Sequence, residues 1–273
     1  EKMQLAKGVR PGGVAVFNID QKEFLAQKKD VTVRQITFGR SGKANLQILD
    51  SIVTRRGFML KFSYQGQIYR LGLVDVFPQA YSYTFAGAVA AVAAVGIPPT
   101  ISIKSLASYT APPGRMRIFD GINGSTIIDS SYNASPDTML ESLKLLKTLG
   151  GQNKKIAVIG DMRELGASEK VSHKNLADWI MQYADAAILY GDLTGQYTLP
   201  VLLSKKYPVH HFRKMSGLTS YLTSTVKQKS YVLVKGSQNT IFLERAVESI
   251  IANKADVTKL CRRGKYWDKI RNK

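Results

Sequence analysis

From residue 125 onward, short apolar runs alternate with amphipathic ones, and this alternation limits the possible folds more than any other feature of the chain. Strands are expected at 125–129, 156–160, 186–190 and 231–235. Apolar spacing predicts helices over 136–148, 169–183, 216–227 and 240–252. Strands alternating with helices build βαβ units, a parallel sheet and right-handed crossovers. In open sheets of this kind, ligands bind outside the carboxyl ends of the strands.

Residues 1–110 read differently. Val14-Ala15-Val16-Phe17-Asn18 is a short apolar strand, and runs at 58–64 and 68–73 flank Gln65-Gly66-Gln67, a hairpin signal. An alanine-rich buried helix is expected over 85–97 and a short one over 103–109. Ala111-Pro112-Pro113-Gly114 breaks both periodicities, so the expected domains are 1–110 and 111–273.

Composition removes several classes. At 44% hydrophobic, the chain has enough apolar residues for packed cores. Cys261 is the only cysteine, which excludes an internal disulfide and fits a reducing cytosol. The run 85–97 falls short of the roughly 20 residues a membrane span needs. No signal-peptide pattern opens the chain, so a cytoplasmic location without a membrane span is expected. The net charge of +19 attracts nucleotides, nucleic acid and acidic surfaces alike. Its densest stretch is the tail, with Lys259, Arg262, Arg263, Lys265, Lys269, Arg271 and Lys273 around Tyr266 and Trp267. No zinc-finger or RNP-like spacing accompanies it, so the tail reads as a solvated segment that docks one aromatic pair. No nucleic-acid partner is expected.

Chemistry concentrates where the first predicted βα unit turns. Ile127-Ile128-Asp129-Ser130-Ser131-Tyr132-Asn133-Ala134-Ser135-Pro136-Asp137-Thr138-Met139 gathers hydroxyls, an amide and two carboxylates at a strand's carboxyl end. Pro136 suits a first helical turn and Asp137 the positive end of the helix dipole. Pro113-Gly114-Arg115-Met116 lies upstream. Downstream come Gly160-Asp161-Met162-Arg163-Glu164-Leu165-Gly166, then His173, then Val234-Lys235-Gly236-Ser237.

This ordered set resembles the Mur ligases of peptidoglycan synthesis, specifically the kind that adds D-alanyl-D-alanine to UDP-N-acetylmuramoyl tripeptide. The resemblance implies an α/β chain: part of a Mur ligase central, ATP-binding domain over 1–110, then a Rossmann-like C-terminal ligase domain with a mostly parallel sheet and a basic tail over 111–273. It implies ATP-dependent peptide-bond formation through an acyl phosphate, with ATP and Mg²⁺ required and UDP-muramoyl peptide and D-alanyl-D-alanine as substrates. A phosphate-binding G-x-x-x-x-G-K-[ST] loop does not occur; Gly39-Arg40-Ser41-Gly42-Lys43-Ala44 has the wrong spacing and no hydroxyl after the lysine. The chain alone is therefore expected to be inactive, its N-terminal half supplied in cis or in trans. The alternatives are a divergent Mur-type ligase with another acceptor, and a binding module that has lost ATP use.

The resemblance also assigns roles. Lys2 matches a lysine that becomes a carbamate and ligates Mg²⁺ at the catalytic centre. Arg115 would contact nucleotide phosphates, with Asp129 and Ser130 nearby; Ser130 stands where the family has a second aspartate. Asn133 and Asp137 would receive the attacking amine, and Ser135, Lys235 and Ser237 would bind substrate. Gln238 replaces a usual arginine, and the amides that meet adenine are replaced by Gln79-Ala80-Tyr81-Ser82-Tyr83-Thr84-Phe85. That leaves Tyr81 or Phe85 as a stacking surface, or a degenerate pocket. His173 reads as a packed helix residue, Asp161 and Glu164 equally as functional residues or as residues that organise their loop, and His210-His211 lack a third ligand for zinc.

Overall fold

The computed structural model describes residues 2–22, 26, 28–54, 56–77, 81–238 and 241–271, without the side chains of Lys2, Met3, Lys28 and Arg271. The chain divides into two compact units, Glu1–Thr110 and Ala111–Lys273.

The first unit holds a five-stranded sheet in the order β1 (Val14–Asn18), β2 (Arg34–Gly39), β3 (Leu46–Thr54), β4 (Gly57–Tyr64), β5 (Gln67–Val74). Strands β1 to β3 are parallel, and β3 to β5 form an antiparallel meander. Gln65 and Gly66 both have positive φ, 49° and 78°, giving a two-residue turn whose twist matches the strands it joins. Leu46, Ile48, Phe58, Leu60, Phe62 and Leu71 form a core with Phe85, Ala86, Val89, Ala90 and Ala94 of helix Tyr81–Ala94. The strand character of β3 is weak in the sequence because a register shift between Ile48 and Asp50 breaks its alternation. The second helix is Pro99–Leu106, four residues earlier than the expected 103–109, because Pro99 starts it from a first-turn position that needs no N–H.

The second unit is built on a six-stranded sheet, ordered β10-β9-β8-β11-β7-β6. Its strands are β6 (Arg117–Gly121), β7 (Ser125–Ser130), β8 (Lys155–Gly160), β9 (Ala186–Tyr190), β10 (Val209–Phe212) and β11 (Tyr231–Lys235). Only β6 is antiparallel to its neighbour. Strands β7, β8, β9 and β11 coincide with the four predicted runs. The two edge strands escaped sequence reading: β10 reads Val-His-His-Phe and β6 carries Arg117 and exposed Asp120, so neither shows a continuous apolar run.

Both faces of this sheet are covered. Ile127, Ile156, Val158, Ile188, Val232 and Val234 pack with Leu218, Leu222, Ala246, Val247 and Ile250 from helices Met215–Thr225 and Glu244–Ile250. Their neighbours Ile128, Ala157, Ile159 and Leu233 face the other way and are equally buried. Helix Pro136–Gly150 packs on β8 and β11 and beside helix Glu169–Tyr183. The last helix of the core is shorter than the expected 240–252, whose first residue lies outside the described residues.

Two covered faces and a separate core imply independent folding. Residues 111–273 alone are expected to give a cooperative thermal transition by circular dichroism, and a broad, non-cooperative melt would refute this.

Candidate functional site

The chain passes from β7 to β8 leaving one slot between them, and β11 later fills it. All three strands are parallel, so their carboxyl ends share one edge at a topological switch point. Register places Lys235, the last residue of β11, opposite Ser130 of β7 and Ile159 of β8. Lys235 is only 2% exposed. Its Nζ donates to Ser130 Oγ at 3.2 Å and to the Asn133 carbonyl at 2.9 Å. Both acceptors are neutral. Burial, helped by the charge of Arg115 and opposed by that of Asp129, brings its pKa from 10.5 down to about 7.

Next to it, Asp129 is fully buried. Its Oδ1 accepts from the Ser131 hydroxyl at 2.6 Å and the Ser131 N–H at 3.1 Å. Its Oδ2 has no hydrogen-bond partner among the described residues. Burial pushes this carboxyl up, against the Ser131 hydrogen bonds and the charges of Arg262 and Arg117.

The chain then turns out to the surface. Asn133 Oδ1 accepts from the Ala134 N–H at 2.9 Å and from Ser237 Oγ at 3.4 Å, which links the two loops. Ser135 is the N-cap of helix Pro136–Gly150: its N–H donates to Thr138 Oγ1 at 3.0 Å, and the two hydroxyls pair at 3.0 Å. Asp137 follows in the first turn, exposed and without a hydrogen bond or ion pair among the described residues. Arg115, also exposed, has its guanidinium over the Tyr132 ring at 4.5 Å.

Comparison with known proteins bears on this geometry. Residues 114–238, which contain all of these groups except Arg262, match the model of the Mur ligase glutamate ligase domain. A UDP-N-acetylmuramoyl-tripeptide–D-alanyl-D-alanine ligase of Rickettsia prowazekii is 26% identical over 257 residues, covering 90% of this chain and 55% of its own. The ligase of the same name from Buchnera aphidicola (subsp. Baizongia pistaciae) is 29% identical over 260 residues, with coverage of 92% and 53%. Residues 114–238 are thus similar to the Mur ligase domain, and the chain is similar to these ligases over 90–92% of its length. A MurF ligase from Thermotoga maritima, solved in complex with ADP, shares its fold, with a TM-score of 0.76 at 22% identity over 91% of this chain and 55% of that one. The chain spans about half the length of the curated relatives it matches.

Within the Mur ligase domain, other sequence candidates are structural. Asp161, at the end of β8, accepts from the Leu193 and Thr194 N–H groups at 3.1 and 2.7 Å and so caps the turn after β9. Its carboxylate sits so close to Gly191 that a Cβ there would lie 2.4 Å from an oxygen, at a φ of +114°. His173 is fully buried; its Nε2 accepts from the Met162 N–H at 3.1 Å, which leaves Nδ1 to donate to the Glu169 carbonyl at 2.9 Å. Glu164 is exposed. His211 bonds the Gly191 carbonyl at 2.7 Å, while the His210 ring packs tilted against Tyr221.

Two expectations change. Phe85 cannot offer a face to adenine, because it is 2% exposed and wedged among Phe58, Tyr81 and Tyr109. Tyr81 is half-buried in the same cluster. Nor is the tail wholly solvated. Cys261 and Arg262 are buried, Arg262 pairs with buried Glu244 at 2.9 Å, and Arg263 pairs with Glu248 at 2.9 Å. Tyr266 and Trp267 meet edge-on in helix Lys265–Arg271, with Tyr266 69% exposed. Burial, with Asp129 and Glu244 nearby, raises the Cys261 thiol to about 12, which makes it inert at neutral pH. The Lys2 side chain, the candidate carbamate, lies outside the described residues.

Proposed function

We propose that this chain is the C-terminal half of an ATP-dependent ligase of peptidoglycan precursor synthesis, which joins D-alanyl-D-alanine to UDP-N-acetylmuramoyl tripeptide in the cytoplasm. The observation that carries this reading is the buried Lys235, held by neutral acceptors at the switch point of a Mur ligase domain. A lysine with no paired carboxylate there is suited to an incoming anion. The D-alanyl-D-alanine-adding relatives and the ADP complex of the Thermotoga maritima ligase supply the substrate class.

In the reaction, ATP phosphorylates the terminal carboxylate of the tripeptide, giving ADP and an acyl phosphate. The amine of D-alanyl-D-alanine attacks, an amide forms, and phosphate leaves with the amine proton released. The protein contributes position and charge. Arg115 offers an exposed, planar guanidinium to phosphate oxygens. Lys235 donates to a substrate carboxylate or the phosphoryl group it becomes. Asp137 and Asn133 receive the ammonium and orient the amine, and Ser237 and Ser135 line its approach. Asp129 and Ser130 anchor the loop that carries these groups and are the second unit's candidates for nucleotide contact; in the first unit, Tyr81 is the remaining candidate for adenine.

Mg²⁺ supplies charge neutralisation in this chemistry. Among the described residues no group of three His, Cys, Asp or Glu assembles to hold it. Its proposed ligand here is Lys2 as a carbamate, and no step is assigned to it. One observation favours a second reading. Ser130 and the 79–85 stretch lack the acid and the asparagines associated with nucleotide contact, as a binding module without ATP use would.

ADP release separates the two, measured with UDP-muramoyl tripeptide, D-alanyl-D-alanine and Mg²⁺. The 273-residue chain alone is expected to show none, because no phosphate-binding loop occurs in it. The complete enzyme, with the preceding half supplied, is expected to turn over only when both substrates are present. Turnover by the repurified chain alone would overturn the assignment to one half. Silence of the complete enzyme would favour the binding module.

A further inference from the structure

The tail contributes to the site. We propose that Arg262, 24 residues beyond the matched ligase domain, is a positioning residue for Arg115 and acts through Tyr132. The proposal deepens the ligase reading by assigning Arg115 its anion.

Arg262 grips the loop that follows β7. Its Nη1 donates to the Ser131 carbonyl at 3.2 Å and its Nη2 to the Tyr132 carbonyl at 2.6 Å. Nη1 also donates to Glu244 Oε2 at 2.9 Å. Its guanidinium carbon lies 5.5 Å from the Tyr132 ring centroid, and that of Arg115 lies 4.5 Å from the same centroid. One ring therefore carries two cations. Glu244 neutralises one of them, Arg262. Arg115 makes no ion pair among the described residues and keeps its charge for a ligand.

The backbone supports the same connection. Arg262 has a φ of +54° and Met116, next to Arg115, a φ of +58°. Both are left-handed positions that side-chain-bearing residues hold only when their surroundings impose them. Gly114, at φ +72°, packs so closely that a Cβ would lie 2.9 Å from Cys261 Sγ and 3.0 Å from Tyr132 Cβ. The Tyr132 N–H donates to the Gly114 carbonyl at 3.1 Å. The turn bearing Arg115, the ring under it and the tail thus form one packed unit. A solvated tail would need none of these contacts.

The probe is inorganic pyrophosphate, titrated calorimetrically into the 273-residue chain. Arg115→Ala should abolish binding. Arg262→Lys keeps a charge beside Glu244 but loses the fork that spans both carbonyls, and should weaken binding about fivefold. Tyr132→Leu should do the same, with Tyr132→Phe near wild type, since a surface cation–π contact is of that size. The double variant Arg262→Lys/Tyr132→Leu should be no weaker than the worse single, because both act along one path. A purely structural Arg262 predicts a lower melting temperature with unchanged affinity, and that result overturns the proposal. So does an additive double variant, or a wild-type chain that ignores pyrophosphate. Pyrophosphate binding that follows this pattern, with no ADP release by the complete enzyme, would refute the ligase reading and leave the Arg262 assignment standing.

Discussion

Replacing Lys235 with methionine is expected to lower ligation by the complete enzyme at least a hundredfold and, at the same time, to raise the melting temperature of the chain. The two effects share a cause. Lys235 is 2% exposed and meets only Ser130 Oγ and the Asn133 carbonyl, so its charge is desolvated without a paired carboxylate. A buried, preorganised donor aimed at developing charge is worth about 2.7–4 kcal/mol, or two to three decades in rate. The same burial disfavours the folded state, and methionine fills the space without the penalty. A gain of about 1 kcal/mol corresponds to roughly 2–4 °C in a protein of 150–250 residues.

Titration gives this prediction a second signature. The unfolded chain holds the Lys235 proton up to the ordinary lysine value of 10.5, while the folded chain releases it near 7. Between those values the unfolded state binds more protons, so folding gains stability as pH rises. Below about 7 the full desolvation cost remains. The melting-temperature advantage of Lys235→Met should therefore be largest below pH 7 and shrink as pH rises toward 10. An advantage independent of pH, or a variant that melts lower and ligates normally, would return Lys235 to a structural role.

The fold's second half was legible because its information is local. Strands β8, β9 and β11 are nearly continuous apolar runs, β7 has the β-branched run Thr126-Ile127-Ile128, and the helices between them repeat every three or four residues. Lys235, Ser130, Asn133 and Ser237 could be singled out for a related reason, since parallel strands deliver their carboxyl ends to one edge whatever the details of packing. Strands β6 and β10 lie at the two edges of the sheet and carry charges or histidines, so periodicity missed them.

The tail was misread because its charge density suggests solvent and its true partners are remote. Arg262 meets Glu244 across 18 residues and Ser131 across 131. A signal was available in Glu244 and Glu248, one turn apart on a helix, facing Arg262 and Arg263. Asp161 shows the reverse case. A conspicuous acid in a loop motif is consumed by two backbone N–H groups, which only the fold reveals.

Asp137→Ala is expected to reduce ligation by the complete enzyme at least tenfold while leaving the melting temperature within about 2 °C. The helix start does not depend on this carboxylate, because Ser135 and Thr138 already cap it with the Ser135 N–H and paired hydroxyls. Asp137 itself is exposed at the carboxyl edge of the sheet, with no hydrogen bond or ion pair among the described residues. A free carboxylate there can hold the ammonium of an incoming amino acid and release it as the amine. Losing a hydrogen bond to a charged group costs about 1.5–3 kcal/mol, one to two decades in rate when it acts in the transition state. The competing role is interaction with the helix dipole, worth about 0.3–1 kcal/mol of stability. That role predicts a lower melting temperature with ligation intact, and finding it would remove Asp137 from the site. Asp137→Asn sharpens the contrast, since the amide keeps the shape and a hydrogen-bonding oxygen but loses the charge. Its KM for D-alanyl-D-alanine should rise along with the fall in kcat, while its KM for ATP stays at the wild-type value.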